Sequence, residues 1–318
     1  MTQPHLSFGP GTEFDTVRAM LARWGSTAQG AGDDGALLDV PAGRQLVVST
    51  DTVVEDVHFR RGWITSEEIA YRAGAAAISD LAAMGAEPLA MTIALTLPDA
   101  WRDQSMALAD GIGAIARTCG MPIVGGDLSS GRELSIGVTV LGTVEPGGAL
   151  TRAGAVAGQA LWVTGSLGSS RLAVQAFERG LQPSATHRER FVHPEPRLRE
   201  ARWLAAHGAT AAIDISDGVA SDAAHVAAAS RVSLTLHLDL LPLAPGASPV
   251  EAARSGEEYE LLVAAPASLD AAAFERAFGV PLTRVGEVEA AGSAGAGVDT
   301  RLGDEHVPLP RGHDHFAR

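Results

Sequence analysis

The chain has 318 residues, of which 46% are hydrophobic and 19% charged, enough apolar material for a sizeable core spread over two domains of ordinary size. A formal charge of −14 and an aromatic share of 5% exclude a basic, base-stacking nucleic-acid groove. All 24 basic residues are arginine and none is lysine, so a lysine-bearing phosphate loop and Schiff-base chemistry are excluded as well.

In chain order, strand-like apolar runs are expected over Gln45–Thr50, Leu89–Leu97, Pro122–Gly125 and Leu134–Val144, with helical patterns over Ser66–Met84 and Asp99–Thr118. Thr65 and Glu68 have the spacing of a capping box, and Gly85 stands just past the end of the helix that box would start. Further along, strands are expected over Ala160–Thr164, Ala211–Ile215, Val232–Leu238, Tyr259–Ala264 and Thr283–Val288. They are interleaved with helices over Ser169–Arg179, Arg197–His207, Gly218–Ser230 and Leu269–Phe278. This alternation predicts an α/β (α+β) fold. The turn Glu145-Pro146-Gly147-Gly148 after a long strand run marks a domain boundary, giving domains over 1–147 and 148–318.

No apolar run approaches the roughly 18 residues of a membrane span, and Met1-Thr2-Gln3-Pro4-His5 lacks the basic-then-apolar pattern of a leader. The lone cysteine, Cys119, cannot form an internal disulfide. A reducing cytoplasm is therefore the expected location.

Aspartates recur where apolar segments end. Gly32-Asp33-Asp34-Gly35 is a Gly-rich turn, Ser49-Thr50-Asp51 closes the first expected strand, and Gly125-Gly126-Asp127 repeats that pattern. Asp214-Ile215-Ser216-Asp217-Gly218 runs from strand into helix, and Asp80 sits among apolar neighbours in an Ala-rich helix. A lone aspartate after a strand is ordinarily a turn or cap residue. Gathered together without lysine, several such acids need another cation, and hard oxygen ligands suit Mg²⁺ shared with substrate phosphates. The start of the helix after Ser216 and Asp217 is expected to offer free N–H groups to a phosphate. Arg152 reads either as a phosphate clamp or as a solvated side chain, and His58 as a structural or surface histidine.

In order and spacing, these stretches resemble the thiamine-monophosphate kinase family of the aminoimidazole ribonucleotide synthetase-like superfamily. Six carry the resemblance: Gly32-Asp33-Asp34, Ser49-Thr50-Asp51-Thr52, Ser79-Asp80-Leu81-Ala82-Ala83-Met84-Gly85-Ala86, Gly125-Gly126-Asp127, Asp214-Ile215-Ser216-Asp217-Gly218 and Glu257-Glu258-Tyr259-Glu260-Leu261. The resemblance implies ATP-dependent phosphorylation of thiamine monophosphate to thiamine diphosphate. It implies a homodimer in which the N-terminal domains form a β-barrel across the interface and the C-terminal domain is α/β.

Several Mg²⁺ ions would be held at positions matching Asp34, Ser49, Thr50, Asp51, Asp80, Asp127, Asp214 and Asp217. ATP would be contacted at Gly126, Asp127, Arg152 and Ser216, and the substrate at His58, Glu257 and His313. This chain departs from the family pattern mildly at Ala31, smaller than the apolar residue usual there, and in three further places. In Gly125-Gly126-Asp127-Leu128-Ser129-Ser130-Gly131 the usual arginine has moved to Arg132 or been lost. Arg254-Ser255-Gly256-Glu257-Glu258-Tyr259 has lost a glycine and lengthened a carboxylate. His313 stands where an aromatic ring is usual. Alternatives are another ATP-using synthetase of the superfamily, or a homologue that binds nucleotide or thiamine phosphate without turnover.

Overall fold

The structure, a computed structural model, describes residues 11–293, 295–310 and 312. Among these the chain forms two compact units, one from residues 11–81 and 87–147, the other from 82–86 and the chain from 148 onward.

The first unit begins with α1 (Thr12–Trp24), a helix not anticipated above. Its signal was the spacing of Phe14, Val17, Leu21 and Trp24, which puts one apolar stripe on one face. The Trp24 indole N–H then donates to the Ala109 carbonyl at 2.7 Å. β1 (Gln45–Val54) leads into α2 (Ser66–Ala83), β2 (Glu87–Thr96), α3 (Ser105–Thr118), β3 (Ile123–Ser129) and β4 (Ser135–Val144). The capping box forms, with Glu68 N–H donating to Thr65 Oγ1 at 3.2 Å and Thr65 N–H to Glu68 Oε2 at 2.8 Å. α3 starts six residues later than expected, because Asp99–Gln104 winds into a tighter 3₁₀ turn. The buried Trp101, whose indole N–H donates to Glu55 at 2.9 Å, pins that turn.

The four strands form an open sheet in the order β1-β4-β2-β3, antiparallel except for the β2–β3 pair. Two strands outrun their expected ends. β1 pairs with β4 as far as Val54↔Ser135, so Asp51 lies within the ladder and not beyond it. β3 continues to Ser129, so Asp127 is also a strand residue, paired with Ala94. In both cases the partner strand supplies hydrogen bonds past the apolar run, and the β-branched Thr52, Val53 and Val54 extend β1 readily.

The second unit contains β5 (Ala160–Thr164), α4 (Ser169–Glu178), α5 (Ala185–Val192), α6 (Leu198–Ala206), β6 (Ala211–Asp214), α7 (Val219–Ser230), β7 (Val232–His237), α8 (Pro249–Ala253), β8 (Leu261–Ala265), α9 (Ala271–Phe278), β9 (Leu282–Ala290), β10 (Gly297–Leu302) and β11 (Glu305–Val307). Its mixed sheet has the order β11-β10-β7-β9-β5-β8-β6. One apolar core joins Val219, Ala223 and Val226 of α7 to Ile213, Leu234, Leu262 and Val285 of the sheet. β8 starts at Leu261 and not at Tyr259, because Tyr259 takes the left-handed backbone region, φ 53°, which a strand cannot accommodate.

A buried ion cluster ties the β5 end of this sheet to the helices. Glu260 is fully buried. Arg197 grips it through two bonds of 2.8 and 2.7 Å, Arg190 through one of 2.5 Å, and the Thr164 hydroxyl donates to it at 2.7 Å. Bidentate arginine satisfies both carboxylate oxygens in a way a point charge cannot. Glu260→Ala would leave two arginines without their buried partner, at a cost of about 3–5 kcal/mol. Urea unfolding followed by tryptophan fluorescence is expected to show that loss. Arg44→Ala, which breaks exposed pairs with Glu87 and Glu145, should cost about 1 kcal/mol or less.

Candidate functional site

In the first unit the pleat of β1 sorts the expected metal-binding residues. Residues 47, 49, 51 and 53 point to one face and are half-buried or buried, while Leu46, Val48, Thr50 and Thr52 are exposed on the other. α2 lies against the first of these faces, and its Asp80 accepts a 2.5 Å hydrogen bond from Ser49 Oγ. Asp51 shares this environment. Burial, followed by the nearby charge of Asp80, pushes its pKa up to about 6. Asp80 is half-buried, less enclosed than its apolar helix context implies. Ser49, Asp51 and Asp80 thus come together. The Thr50 side chain does not join them, because it faces the other way and its hydroxyl pairs with Thr139 at 2.9 Å.

A separate grouping surrounds a cavity of about 480 Å³ in the same unit. Phe14, Leu21, Trp24 and Ile112 provide apolar wall, and Asp34, Gly126 and Asp127 also line it. Asp34 and Asp127 are exposed. Gly126 is required by packing, because a Cβ there would lie 2.0 Å from the Ile93 carbonyl oxygen across the parallel β2–β3 pair. His58 is half-buried and locally engaged, its Nδ1 accepting from the Val54 N–H at 3.1 Å.

In the second unit, Asp214 ends β6 and is buried at 4% exposure, while Ser216 and Asp217 follow in the loop before α7. That helix begins at Val219, one residue past the expected Gly218, and two N–H groups of the loop before it are already engaged. The N–H groups of Asp217 and Gly218 both donate to the Asp222 carboxylate, at 3.3 and 3.1 Å. Asp222, on the first turn of α7, reaches back to fix this loop. It is a functional candidate that the sequence reading missed. The signal was the one that singled out Asp80, a carboxylate in an Ala-rich buried helix. Burial, then the charges of Asp214 and Asp217, raise its pKa to about 8. Arg152 is exposed in a loop, with its carbonyl accepting from Ser230 Oγ at 2.7 Å.

The loop Gly256–Tyr259 lies on the same strand end, with Glu257 N–H donating to Ser216 O at 2.8 Å. Gly312 approaches Asp217 so closely that a Cβ would stand 1.8 Å from its carbonyl oxygen, and its N–H donates to Ser221 Oγ at 3.0 Å. His313 lies outside the described residues.

The donor chemistry fits Mg²⁺. Asp51 and Asp80 are held together with a hydroxyl beside them, and the rise in the Asp51 pKa expresses a demand for positive charge. Among the described residues no three His, Cys, Asp or Glu side chains form a group able to hold a metal alone. The Asp51–Asp80 pair with Ser49 beside it suits an ion which takes one or two carboxylates and completes its shell with phosphate and water. Because the folded pKa of Asp51 exceeds the unfolded value, its burial costs stability that is lost as pH rises from about 4 through about 6. Above pH 6 Asp51→Asn is expected to stabilise the metal-free protein by about 1–2 kcal/mol. The same variant should gain less melting temperature from added Mg²⁺ than the wild type does. Thermal unfolding with and without Mg²⁺ checks both.

The N-terminal domain model of AIR synthase related protein matches residues 32–144, and the C-terminal domain model matches 156–299. Thiamine-monophosphate kinase of Escherichia coli (strain K12) is 36% identical over 96% of this chain and 96% of its own length. The crystal structure of thiamine-monophosphate kinase from Stenotrophomonas maltophilia K279a is similar at a TM-score of 0.80 and 35% identity, covering 93% of this chain and 98% of that one. AaThiL complexed with AMPPCP and TMP is similar at a TM-score of 0.75 and 26% identity, covering 98% and 100%. With both halves matched by the superfamily models and nearly its full length by a kinase at 36% identity, the chain belongs to the thiamine-monophosphate kinase family.

Proposed function

We propose that this chain transfers the γ-phosphoryl group of ATP to the phosphate of thiamine monophosphate, giving thiamine diphosphate and ADP. Family membership supports the reaction, and the Ser49–Asp51–Asp80 cluster is the observation that carries its chemistry. Phosphoryl transfer asks a protein mainly for positioning and charge neutralisation. The acceptor phosphate has a second pKa of about 6 and is largely dianionic at neutral pH, so no general base is needed. One acceptor oxygen attacks in line, the bond from γ-phosphorus to the bridging oxygen breaks, and no phospho-enzyme forms. Bound Mg²⁺ supplies the positive charge that lets two phosphates approach and that offsets charge on the leaving oxygen.

Each unit has its assigned part. In the first, Asp34, Ser49, Asp51, Asp80 and Asp127 hold Mg²⁺, with Thr50 contributing through its backbone. Gly126 and Asp127 contact the nucleotide, and the apolar cavity beside them suits a purine ring. His58 faces the substrate. In the second, Asp214 and Asp217 hold Mg²⁺, Ser216 and Arg152 contact nucleotide phosphate, and Glu257 with His313 attends the substrate. The exposed face of β1, with Leu46 and Val48 at 45% and 55% exposure, supports a homodimer in which two open sheets close a barrel. The single cysteine, Cys119, supports a reducing cytoplasm as the setting of the reaction.

Incubation with ATP, Mg²⁺ and thiamine monophosphate is expected to yield thiamine diphosphate by chromatography, and EDTA should abolish it. Absence of product while ATP still binds would refute the reading. Asp51→Asn is expected to lower turnover on the order of 100-fold or more while the protein stays folded, as its circular dichroism would show. Near-normal turnover would remove Asp51 from the metal site.

A further inference from the structure

The loop from Ser255 to Glu260 contains two residues that a chain adopts only when its surroundings compel it. Glu257 and Tyr259 have φ values of 54° and 53°, in the left-handed region that non-glycine residues rarely occupy. Glu258 lies between them. The two reversals turn its side chain inward, where it is 1% exposed.

One oxygen of that buried carboxylate does nearly all the bonding. Glu258 Oε1 accepts from the Gly168 N–H at 2.8 Å, the Ser170 N–H at 3.2 Å and the Ser255 hydroxyl at 2.5 Å. The first two donors are the N-cap and an early residue of α4, so the carboxylate caps that helix from a distant loop. The other oxygen, Oε2, is buried without a partner. The same helix start also holds the neighbouring residue, because Ser170 Oγ donates to the Glu257 carbonyl at 2.8 Å. On the opposite side, the N–H groups of Glu257, Glu258 and Tyr259 donate to Ser216 O and, twice, to Ile215 O, at 2.8, 3.1 and 3.0 Å. Glu257 is therefore held between the start of α4 and the end of β6.

We propose that Glu258 is a positioning residue for the kinase reaction: by capping α4 it locks the Glu257–Tyr259 backbone and sets the Glu257 side chain for the phosphorylated acceptor. This rests on the assignment of Glu257 to the substrate side. A carboxylate serving only as a structural tie would affect stability alone. One that places Glu257 affects recognition of the acceptor and leaves the nucleotide side unchanged.

The wild type is measured first, for turnover and for binding of thiamine monophosphate by calorimetry. A wild type that neither turns over nor binds it overturns both the kinase reading and this role. With activity present, Glu258→Ala is expected to raise KM for thiamine monophosphate about tenfold or more, with kcat and the Kd for AMPPCP within about threefold of wild type. Glu258→Gln keeps an oxygen acceptor for the α4 N–H groups and should restore KM to within about threefold. Ser170→Ala removes only the hydroxyl on the Glu257 carbonyl. It is expected to raise the same KM about threefold, and it serves as the test if Glu258→Ala does not fold. An unchanged KM in a folded Glu258→Ala protein overturns the proposal. So does an unchanged KM in Ser170→Ala when it is the variant available, or a fall in kcat together with nucleotide affinity.

Discussion

Burial of carboxylates beside one another is the constraint to which both units answer. Loss of water raises the pKa of Asp51 in one unit and of Asp222 in the other, and the nearby charges of Asp80 in the first and of Asp214 and Asp217 in the second add to that rise. Glu260 shows the contrasting solution. There two arginines and a hydroxyl surround one carboxylate, and the result is a closed structural tie. The same functional group is enclosed by arginine in one place and set beside other carboxylates in the others. That difference separates the Glu260 tie from the candidate site more sharply than burial does, since Glu260 and Asp214 are both buried.

Much of this plan was legible before any coordinates. The Thr65–Glu68 box, the α/β alternation and the placing of Asp214 at a strand end follow from local rules of capping and periodicity, and the structure reproduces them. Strand length was not legible. β1 passes Asp51 and β3 passes Asp127 because a neighbouring strand, distant in sequence, offers partners there. The consequence for the site is specific. Inside a ladder, alternation decides direction, so Ser49 and Asp51 share a face that the Thr50 side chain cannot reach.

Other elements stayed hidden for different reasons. The stripe on α1 was present but short, and a Gly-rich stretch followed it. The backward reach of Asp222 depends on helix geometry that only the fold supplies, and it takes up the N–H groups of Asp217 and Gly218 just ahead of α7. The left-handed backbone at Glu257 and Tyr259 has no local signature, since neither residue favours it. It exists because bonds from two directions over-determine the loop. Where local preference and final structure disagree most, the residues are those assigned to ligands.

The contact of Gly312 with Asp217 and Ser221 has a practical consequence for handling the protein. With no room for a Cβ at that point, the polypeptide leaves the described structure from the very loop that carries Asp217. A purification tag or fluorescent fusion joined after it starts its path beside a candidate ligand position and competes for the same space.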